Sequence, residues 1–146
     1  MSNDIRGNRF LSGTWAELWY NGFKILEISK ISVKITLNRE DVQVGLDVDT
    51  KVTGWKGEGT VSMIKAFTRF EDVRQEVARG HDPRGTMITK LKDPDATGGQ
   101  TERYQIGNVA LSEFGFEYEK GAVVKQEVPF SFTPSDMINL DAVQDV

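Results

Sequence analysis

The segment ISKISVKITLNREDVQVGLDVDTKVTGWKGEGTVSM, residues 28–63, decides the fold, because it carries two alternating apolar stripes. The first stripe falls on odd numbers: Ile31, Val33, Ile35 and Leu37. The second falls on even numbers: Val42, Val44, Leu46 and Val48. Side chains of a strand alternate between its two faces, so the buried face must change within residues 38–41. The sequence therefore predicts a bulge or a bend there.

A β-ribbon of this length is difficult for one small domain to cover by itself. We expect residues 38–59 to protrude as a hairpin or loop, with residues 49–59 turning the chain back. Part of the apolar surface of the ribbon is then expected to be covered by a second copy of the chain. The predicted subunit-interface residues are the large apolar ones of the ribbon and of the N-terminal arm: Val42, Val44, Leu46, Val48, Trp55, Phe10 and Leu11.

The polar positions of the same ribbon are candidates for a surface that faces water. They are Gln43, Asp47, Asp49 and Lys51, together with the intervening Gly45. They form either the solvated surface of a hairpin or a mostly acidic wall that faces water in an assembly.

Composition excludes several classes of protein. The chain has 146 residues, no Cys and one His, so it offers no disulfide framework and no pair of His ligands for zinc. Its net charge of -4 has the wrong sign for a protein that grips phosphates. No apolar run approaches the roughly 20 residues of a membrane span, which predicts no membrane partner. The N-terminus lacks a signal-peptide apolar region, so we expect synthesis in the cytoplasm.

Local signals predict one hairpin and one helix. Asn21-Gly22 lies between two β-type runs, and both residues tolerate the positive φ of a tight hairpin turn. Thr68 and Glu71 have the spacing of a capping box that opens a helix over about 68–79. Gly80 ends that helix, because glycine adopts the left-handed conformation of a C-terminal cap.

Further alternation predicts strands in the C-terminal half. Residues 112–119 alternate three aromatic residues, Phe114, Phe116 and Tyr118, with glutamates, and residues 124–133 place Val128, Phe130 and Phe132 inward. The sum is about eight strands and one helix in a single domain, residues 1–146. We expect a mainly β fold of two packed antiparallel sheets, a sandwich or barrel, with residues 1–12 as an N-terminal arm and 134–146 as a C-terminal tail.

No motif predicts a catalytic, cofactor or metal site. Residues 57–60, Gly-Glu-Gly-Thr, lack the Lys-Ser/Thr ending of a phosphate-binding loop, and we interpret them as a glycine-rich turn. Residues 93–98 resemble the start of a calcium loop without its bidentate glutamate, and we interpret them as a solvated turn. Glu113, Glu117 and Glu119 are the ordinary polar side of a strand rather than the carboxylate pair of a hydrolase.

The order of landmarks along the chain resembles one known family. Its pieces are Gly54-x-x-Gly57-x-Gly59-Thr60 before a strand and helix, Gly80-x-Asp82-Pro83 after the helix, Gly99-Gln100-Thr101-Glu102-Arg103 at a strand start, and Glu127-Val128-Pro129-Phe130-Ser131-Phe132 near the C-terminus. In this order and spacing the chain resembles tail tube proteins of contractile phage tails, of the PBSX prophage type, including the tubes of contractile bacteriocins. The resemblance runs from about residue 13 to residue 132.

The resemblance implies a structural subunit without catalytic residues. Members of the family form hexameric rings that stack into a hollow tube, inside a virion tail or a bacteriocin particle made in the host cytoplasm. Its expected partners are further copies of itself and the sheath, baseplate and tape-measure proteins, with DNA only as non-specifically conducted cargo. By this resemblance Gln43, Asp47, Asp49 and Lys51 face the lumen or the next ring.

Other functions stay open at this stage. A small β-barrel could bind a ligand or carbohydrate through a stacking platform of Trp15, Trp19, Tyr20 and Trp55, although core or subunit contacts are the commoner use of such residues. A type VI secretion tube protein shares the expected fold, and a hydrolase with paired carboxylates ranks last.

Overall fold

The computed structural model describes residues 6–144. For Thr97 within this range it describes the backbone only. The first part of the predicted arm and the end of the predicted tail, residues 1–5 and 145–146, lie outside the described residues. The described strands are β1 (Ala16–Tyr20), β2 (Phe23–Lys24), β3 (Ile28–Val44), β4 (Asp47–Ile64), β5 (Gly85–Leu91), β6 (Glu102–Leu111), β7 (Lys125–Phe132) and β8 (Met137–Asp141). One α-helix, α1 (Glu71–Ala78), and 3-10 turns at Gly7–Arg9, Gly13–Trp15, Ala96–Gly99 and Pro134–Asp136 complete the described structure.

All strand pairs are antiparallel, in the order β2-β1-β5-β6-β7-β4-β3, with β8 also paired to β6. The long strand β6 joins two halves of the sheet, because its first part pairs with β5 and β8 and its last residues, Ala110 and Leu111, pair with β7. The mainly β antiparallel prediction is confirmed. The two expected sheets are halves of one sheet that share β6.

The hydrophobic core lies between these two halves. Its members come from both: Leu18, Tyr20, Met87, Ile106 and Val109 from one half, and Val61, Met63, Val128, Phe130 and Phe132 from the other. The inward orientation predicted for Val128, Phe130 and Phe132 is confirmed, since each is at most 6% exposed. Helix α1 closes one side of the core through Val73, preceded by Phe70, whose ring packs edge-on against Tyr20 at 5.1 Å.

Two glycines of β4 fit against the rings of this core. Gly57 and Gly59 pair with Phe132 and Phe130 of β7, and a Cβ added at either glycine would lie 2.5 Å from the ring of its partner. The expected glycine-rich turn over residues 57–60 is therefore wrong, because these residues are the interior of a strand. Glycine is needed there for close packing and not for a turn.

The hairpin and the C-terminal end of the helix are as predicted. Asn21 and Gly22 have φ values of 50° and 85° between β1 and β2, which is the conformation of a type I′ turn. At the end of α1, Gly80 has φ 86°. Its N–H donates to the carbonyl of Val77, and the N–H of His81 donates to that of Glu76, the two bonds of a Schellman cap.

The predicted start of the helix is wrong. Helix α1 begins at Glu71, and its N-cap is Phe70 in the left-handed region, φ 62°, without a side-chain cap bond. Thr68 lies outside the helix, and Glu71 pairs with Arg74 one turn further on. Burial of the Phe70 ring against Tyr20 coincides with this change of direction, so a tertiary contact fixes the start instead of the local capping box.

A partly buried ion pair fastens the segment before α1 to the segment before β3. Both oxygens of Glu27 accept hydrogen bonds from Arg69, from Nε at 2.6 Å and from Nη2 at 3.0 Å. The side chain of Glu27 is 6% exposed. The hydrogen bonds from Arg69 hold the pKa of Glu27 below its ordinary value.

We expect Glu27→Gln to lower the free energy of unfolding at neutral pH by about 1.5–3 kcal/mol, the range for hydrogen bonds to charged groups. Because the folded pKa is below the unfolded one, the contribution is complete above the unfolded value of about 4.3 and is lost as the pH falls through the folded value. In denaturant titrations of both proteins, the difference in stability should therefore narrow as the pH falls below about 4. Glu71→Gln, at an exposed pair with Arg74, is the control and should change stability much less. A pH-independent difference would contradict this account.

Candidate assembly surfaces

The ribbon of β3 and β4 projects beyond the rest of the sheet. Strand β7 pairs with β4 only between Gly57 and Ile64, so β3 and β4 beyond Gly57 pair only with each other. At about 3.3 Å per residue, this distal ribbon, residues 36–56, extends roughly 30 Å from the body. The chain reverses in a two-residue turn at Gly45 and Leu46, where Gly45 has φ 63°. The expected turn at 49–59 is wrong, because these residues are strand.

A β-bulge lies opposite residues 38–41, but its extra residue is on β4, so β3 stays regular and the predicted change of face within residues 38–41 is wrong. The register changes between Asn38, opposite Gly54, and Arg39, opposite Val52, so Thr53 is the extra residue on β4. The hydroxyl of Thr53 donates to the carbonyl of Asn38 at 3.3 Å. A bulge lets one strand change its alternation while its partner remains regular.

The strand register across the turn places the predicted interface residues of the ribbon on different faces. Val42 and Val44 stand opposite Asp49 and Asp47, and opposite residues of an antiparallel pair share a face. Val48 stands opposite Gln43 on the other face. The expected continuous face of Val42, Val44, Leu46 and Val48 is therefore wrong, with Leu46 fully exposed in the turn.

The same register separates the polar candidates. Asp47, Asp49 and Lys51 lie on the face of Val42 and Val44, whereas Gln43 lies on the opposite face. The physical reason is the length of the turn, since a two-residue turn places residues i and i+3 on one face and so exchanges odd and even numbers.

One face of the ribbon continues the core near the body, and toward the tip it carries large apolar residues together with Arg39, Asp41 and Gln43. Val33 stands opposite Gly59 and Ile35 opposite Gly57, beneath the rings of Phe130 and Phe132. From Ile35 toward the tip, this face carries five large apolar side chains whose exposed fractions lie between 37% and 61%. They are Ile35, Leu37, Val48, Val52 and Trp55. We call these five residues the apolar ribbon face. An exposed apolar surface of this kind marks a site of association. Ile35, Leu37 and Val52 were not among the predicted interface residues, although correct pairing across the turn would have identified them.

The opposite face of the sheet is polar near the body. It carries Ser32 and Lys34 of β3, Lys56, Glu58 and Thr60 of β4, and Ser131 of β7, which line an open groove. Lys34 Nζ lies 3.3 Å from Glu58 Oε1. We call these six residues the polar sheet face. Charges of both signs in an open groove suit a hydrated wall.

The arm residues Phe10 and Leu11 are 61% and 39% exposed, so the body does not bury them. The next residue, Ser12, donates its N–H to Asp93 Oδ2 at 3.1 Å, and Asp93 Oδ1 accepts from the N–H of Asp95 at 3.1 Å. Asp93 is buried and thus ties the arm to residues 93–96. The interpretation of residues 93–98 as a fully solvated turn is wrong at this position.

The described residues do not form the stacking platform considered above. Trp15 lies in a 3-10 turn, Trp19 contacts Lys24 on β2, and Tyr20 is buried in the core. Trp55 belongs to the apolar ribbon face. Within residues 6–144, no three His, Asp or Glu side chains come together as metal ligands. No helix in this range is long and apolar enough to cross a bilayer.

The predicted strand at 112–119 is absent. These residues are irregular, and Phe114, Phe116 and Tyr118 are 39%, 66% and 67% exposed. The rings of Phe116 and Tyr118 contact each other at 5.0 Å, and Lys65 Nζ lies 5.5 Å from the centre of the Phe116 ring. Their alternation is that of a strand, but within the described structure the segment has no second strand to cover these rings.

The chain is similar to known proteins in sequence and in fold. The sequence model of a family described as "Phage tail tube protein" matches residues 3–139. No curated protein matches the sequence. Among solved structures, a chain of the PVC sheath–tube complex of an extracellular contractile injection system, in the extended state, aligns with a TM-score of 0.68 at 11% identity, over 96% of this chain and 93% of that chain.

Two further structures have the same fold. A chain of the tube-terminating cap of the anti-feeding prophage aligns with a TM-score of 0.68 at 9% identity, over 96% of this chain and 97% of that one. A chain of a native gene transfer agent virion aligns with a TM-score of 0.58 at 11% identity, over 88% and 97%.

Proposed function

Because this chain belongs to the phage tail tube protein family, we propose that its copies form hexameric rings that stack into the hollow inner tube of a contractile tail or phage-tail-like bacteriocin. The observation that carries the proposal is the apolar ribbon face, which continues the core and stays exposed in the single chain. A second copy that covers it would remove the exposed half of five large side chains from water, each contributing about half of the roughly 1.5–3 kcal/mol of complete burial.

The two faces of the sheet suit different surroundings in such a tube. The apolar ribbon face packs against a neighbouring copy, together with Phe10 and Leu11 of the arm. The polar sheet face lines the lumen. Asp47, Asp49 and Lys51 extend that face toward the tip of the ribbon, where Val42, Val44 and Leu46 contact the next ring, and Gln43 borders the apolar side.

The role is structural and not enzymatic. The sheath, the baseplate and a tape-measure protein are the partners that a contractile tail supplies. DNA would pass through the lumen only as non-specific cargo. We do not favour the ligand-binding barrel, because Trp15, Trp19 and Trp55 lie on separate parts of the structure.

Electron microscopy tests this proposal. We expect concentrated protein to form rings or hollow tubes in negative stain. A strict monomer at every concentration, by light scattering and by microscopy, would contradict it.

Charge at the ribbon tip should block assembly without unfolding the subunit. Leu46 is fully exposed in the turn, so Leu46→Asp removes no buried contact within the chain and should alter stability by about 0.5 kcal/mol or less. Val44→Asp places a second carboxylate opposite Asp47 and should lower the Tm of the monomer slightly. We expect both variants to remain folded at dilute concentration and to form no tubes. Tube formation at wild-type concentration, or an equal loss of Tm in the monomer, would count against a role of the tip in contacts between subunits.

A further inference from the structure

The polar sheet face forms the floor of an open groove of about 520 Å³, and Ser112, the first residue after β6, completes its lining. This volume is typical of sites for small ligands, but such sites are mostly lined by apolar side chains. Among the residues that line this groove, Phe130 directs its ring into the core, and Pro129 is the one apolar side chain on the groove side. The groove therefore suits a polar ligand.

Four hydroxyl groups lie side by side in the groove. Ser32, Thr60 and Pro129 stand in one row across β3, β4 and β7, and the N–H of Ser112 donates to the carbonyl of Pro129 at 2.8 Å. Ser131 lies in the next row. Within residues 6–144, the hydroxyls of Ser32, Thr60, Ser112 and Ser131 have no hydrogen-bond partner in the protein. Because a hydroxyl can both donate and accept, all four are available to a ligand.

Two ammonium groups border these hydroxyls. Lys34 stands opposite Glu58, and Lys56 lies in the following row of the same face, opposite Thr36. Lys34 Nζ lies 3.3 Å from Glu58 Oε1, whereas Lys56 has no acidic partner in the described part of the chain. Because Lys34 neutralises Glu58, the groove carries one positive charge in excess.

The charge of this side of the sheet changes sign along the ribbon. Near the body it carries four lysines and two glutamates: Lys30, Lys34, Lys56 and Lys125, with Glu58 and Glu127. Beyond the bulge, three acidic residues, Glu40, Asp47 and Asp49, accompany Lys51. The net charge of -4, which in the sequence analysis excluded a grip on phosphates, is an average over the chain and hides this basic region.

The donors of the groove match the oxygens of a phosphodiester. Lysine ammonium groups and Ser or Thr hydroxyls are common contacts of DNA phosphates, and they fix the position of the backbone without reading the bases. The excess positive charge favours an anion over a neutral sugar. An acidic polypeptide would also bury apolar and aromatic side chains at its contact, and for these the groove offers Pro129 alone.

We propose that the polar sheet face, with Ser112, binds the phosphates of DNA independently of base sequence. Lys56 is the main charged contact, and the hydroxyls donate to the phosphate oxygens. Lys34 contributes less, because Glu58 holds it. The inference rests on the proposed function for the position of the groove in the lumen, where each ring would hold a conducted duplex weakly. Binding itself needs only the single chain, in which the groove is open.

Titration of the dilute subunit with a short DNA duplex of mixed sequence tests the groove separately from tube formation. We expect the amide NMR signals of Ser32, Thr60 and Ser131 to shift at low ionic strength. Two lysines correspond to a slope of roughly -1.8 for the logarithm of the binding constant against that of the salt concentration. A poly-glutamate peptide should shift these signals far less. Equal shifts with the peptide would overturn the assignment to phosphate.

Two substitutions in the groove should act in opposite directions. Lys56→Gln removes the unpaired ammonium group, so it should weaken DNA binding at least about fivefold and bring the salt slope about 0.9 closer to zero. Glu58→Gln removes a negative charge and frees Lys34, so it should strengthen binding at least about threefold. The Tm of both variants should stay close to that of the wild type, because an exposed ion pair contributes little to stability.

Lys51→Gln and Glu40→Gln are the matched controls. These two residues stand opposite each other on the same side of the ribbon, outside the groove, and the substitutions make the same changes of charge. Each should change DNA affinity less than about twofold. Equal effects at the two places would overturn the site, because net charge alone would then explain binding. Wild-type protein that forms tubes but whose subunit does not bind the duplex would overturn the inference and leave the tube function standing.

Discussion

Phe130→Ala is expected to lower the free energy of unfolding of the subunit by about 3–5 kcal/mol, the range for truncating a buried Phe. The ring is 1% exposed and lies between the two halves of the sheet, over Gly59 and beside Phe132 at 6.2 Å. Removal leaves a cavity that β4 cannot fill, because its nearest residue has no side chain. Denaturant unfolding at a concentration where the protein is monomeric measures the loss.

Phe116→Ala is the matched control for this substitution. The ring of Phe116 is 66% exposed, so the same truncation should change the stability of the monomer by about 0.5 kcal/mol or less. Similar losses for the two variants would show that Phe130 does not lie in the core described above.

Gly59→Ala is expected to be the second severe change, at about 3 kcal/mol, with Gly57→Ala at about 1–3 kcal/mol. At Gly57 the three atoms nearest to an added Cβ all belong to the ring of Phe132. At Gly59 it meets the ring of Phe130 and also the backbone carbonyl of Ser32, well inside van der Waals contact. A side chain can rotate away, whereas a carbonyl in the β3–β4 ladder cannot move without breaking the pairing.

This difference predicts which variant can be rescued. Phe132→Leu makes room at Gly57, so the double variant Gly57→Ala/Phe132→Leu should lose less stability than the sum of the two single variants. Phe130→Leu should not rescue Gly59→Ala, because the Ser32 carbonyl remains. Gly115→Ala is the control, since nothing lies within 4 Å of an added Cβ there. Equal rescue at both positions would contradict the contact with Ser32.

Local signals in the sequence were sufficient where backbone conformation is decided locally. Asn21-Gly22 and Gly80 need positive φ, and both end their elements as predicted. Inward alternation also identified Val128, Phe130 and Phe132, because one face of β7 is buried along its length.

Contacts between distant residues explain the predictions that failed. Residues 49–59 contain glycines and charges typical of a loop, yet they are strand because β3 pairs with them along the whole ribbon. Gly57 and Gly59 look like turn residues until Phe130 and Phe132 are placed beside them. The start of α1 depends on the packing of Phe70 on Tyr20, 50 residues away in the sequence. Which ribbon residues share a face depends on how the two strands pair, and odd or even numbering alone does not determine it.

The bulge at Thr53 has a consequence for how this protein can change during evolution. Side chains alternate with a period of two, so inserting one residue into each strand between the body and the tip would turn the outer ribbon over. Insertions of two residues per strand would keep its orientation. Relatives with longer or shorter ribbons should therefore differ in steps of four residues, unless an additional bulge restores the phase of each strand.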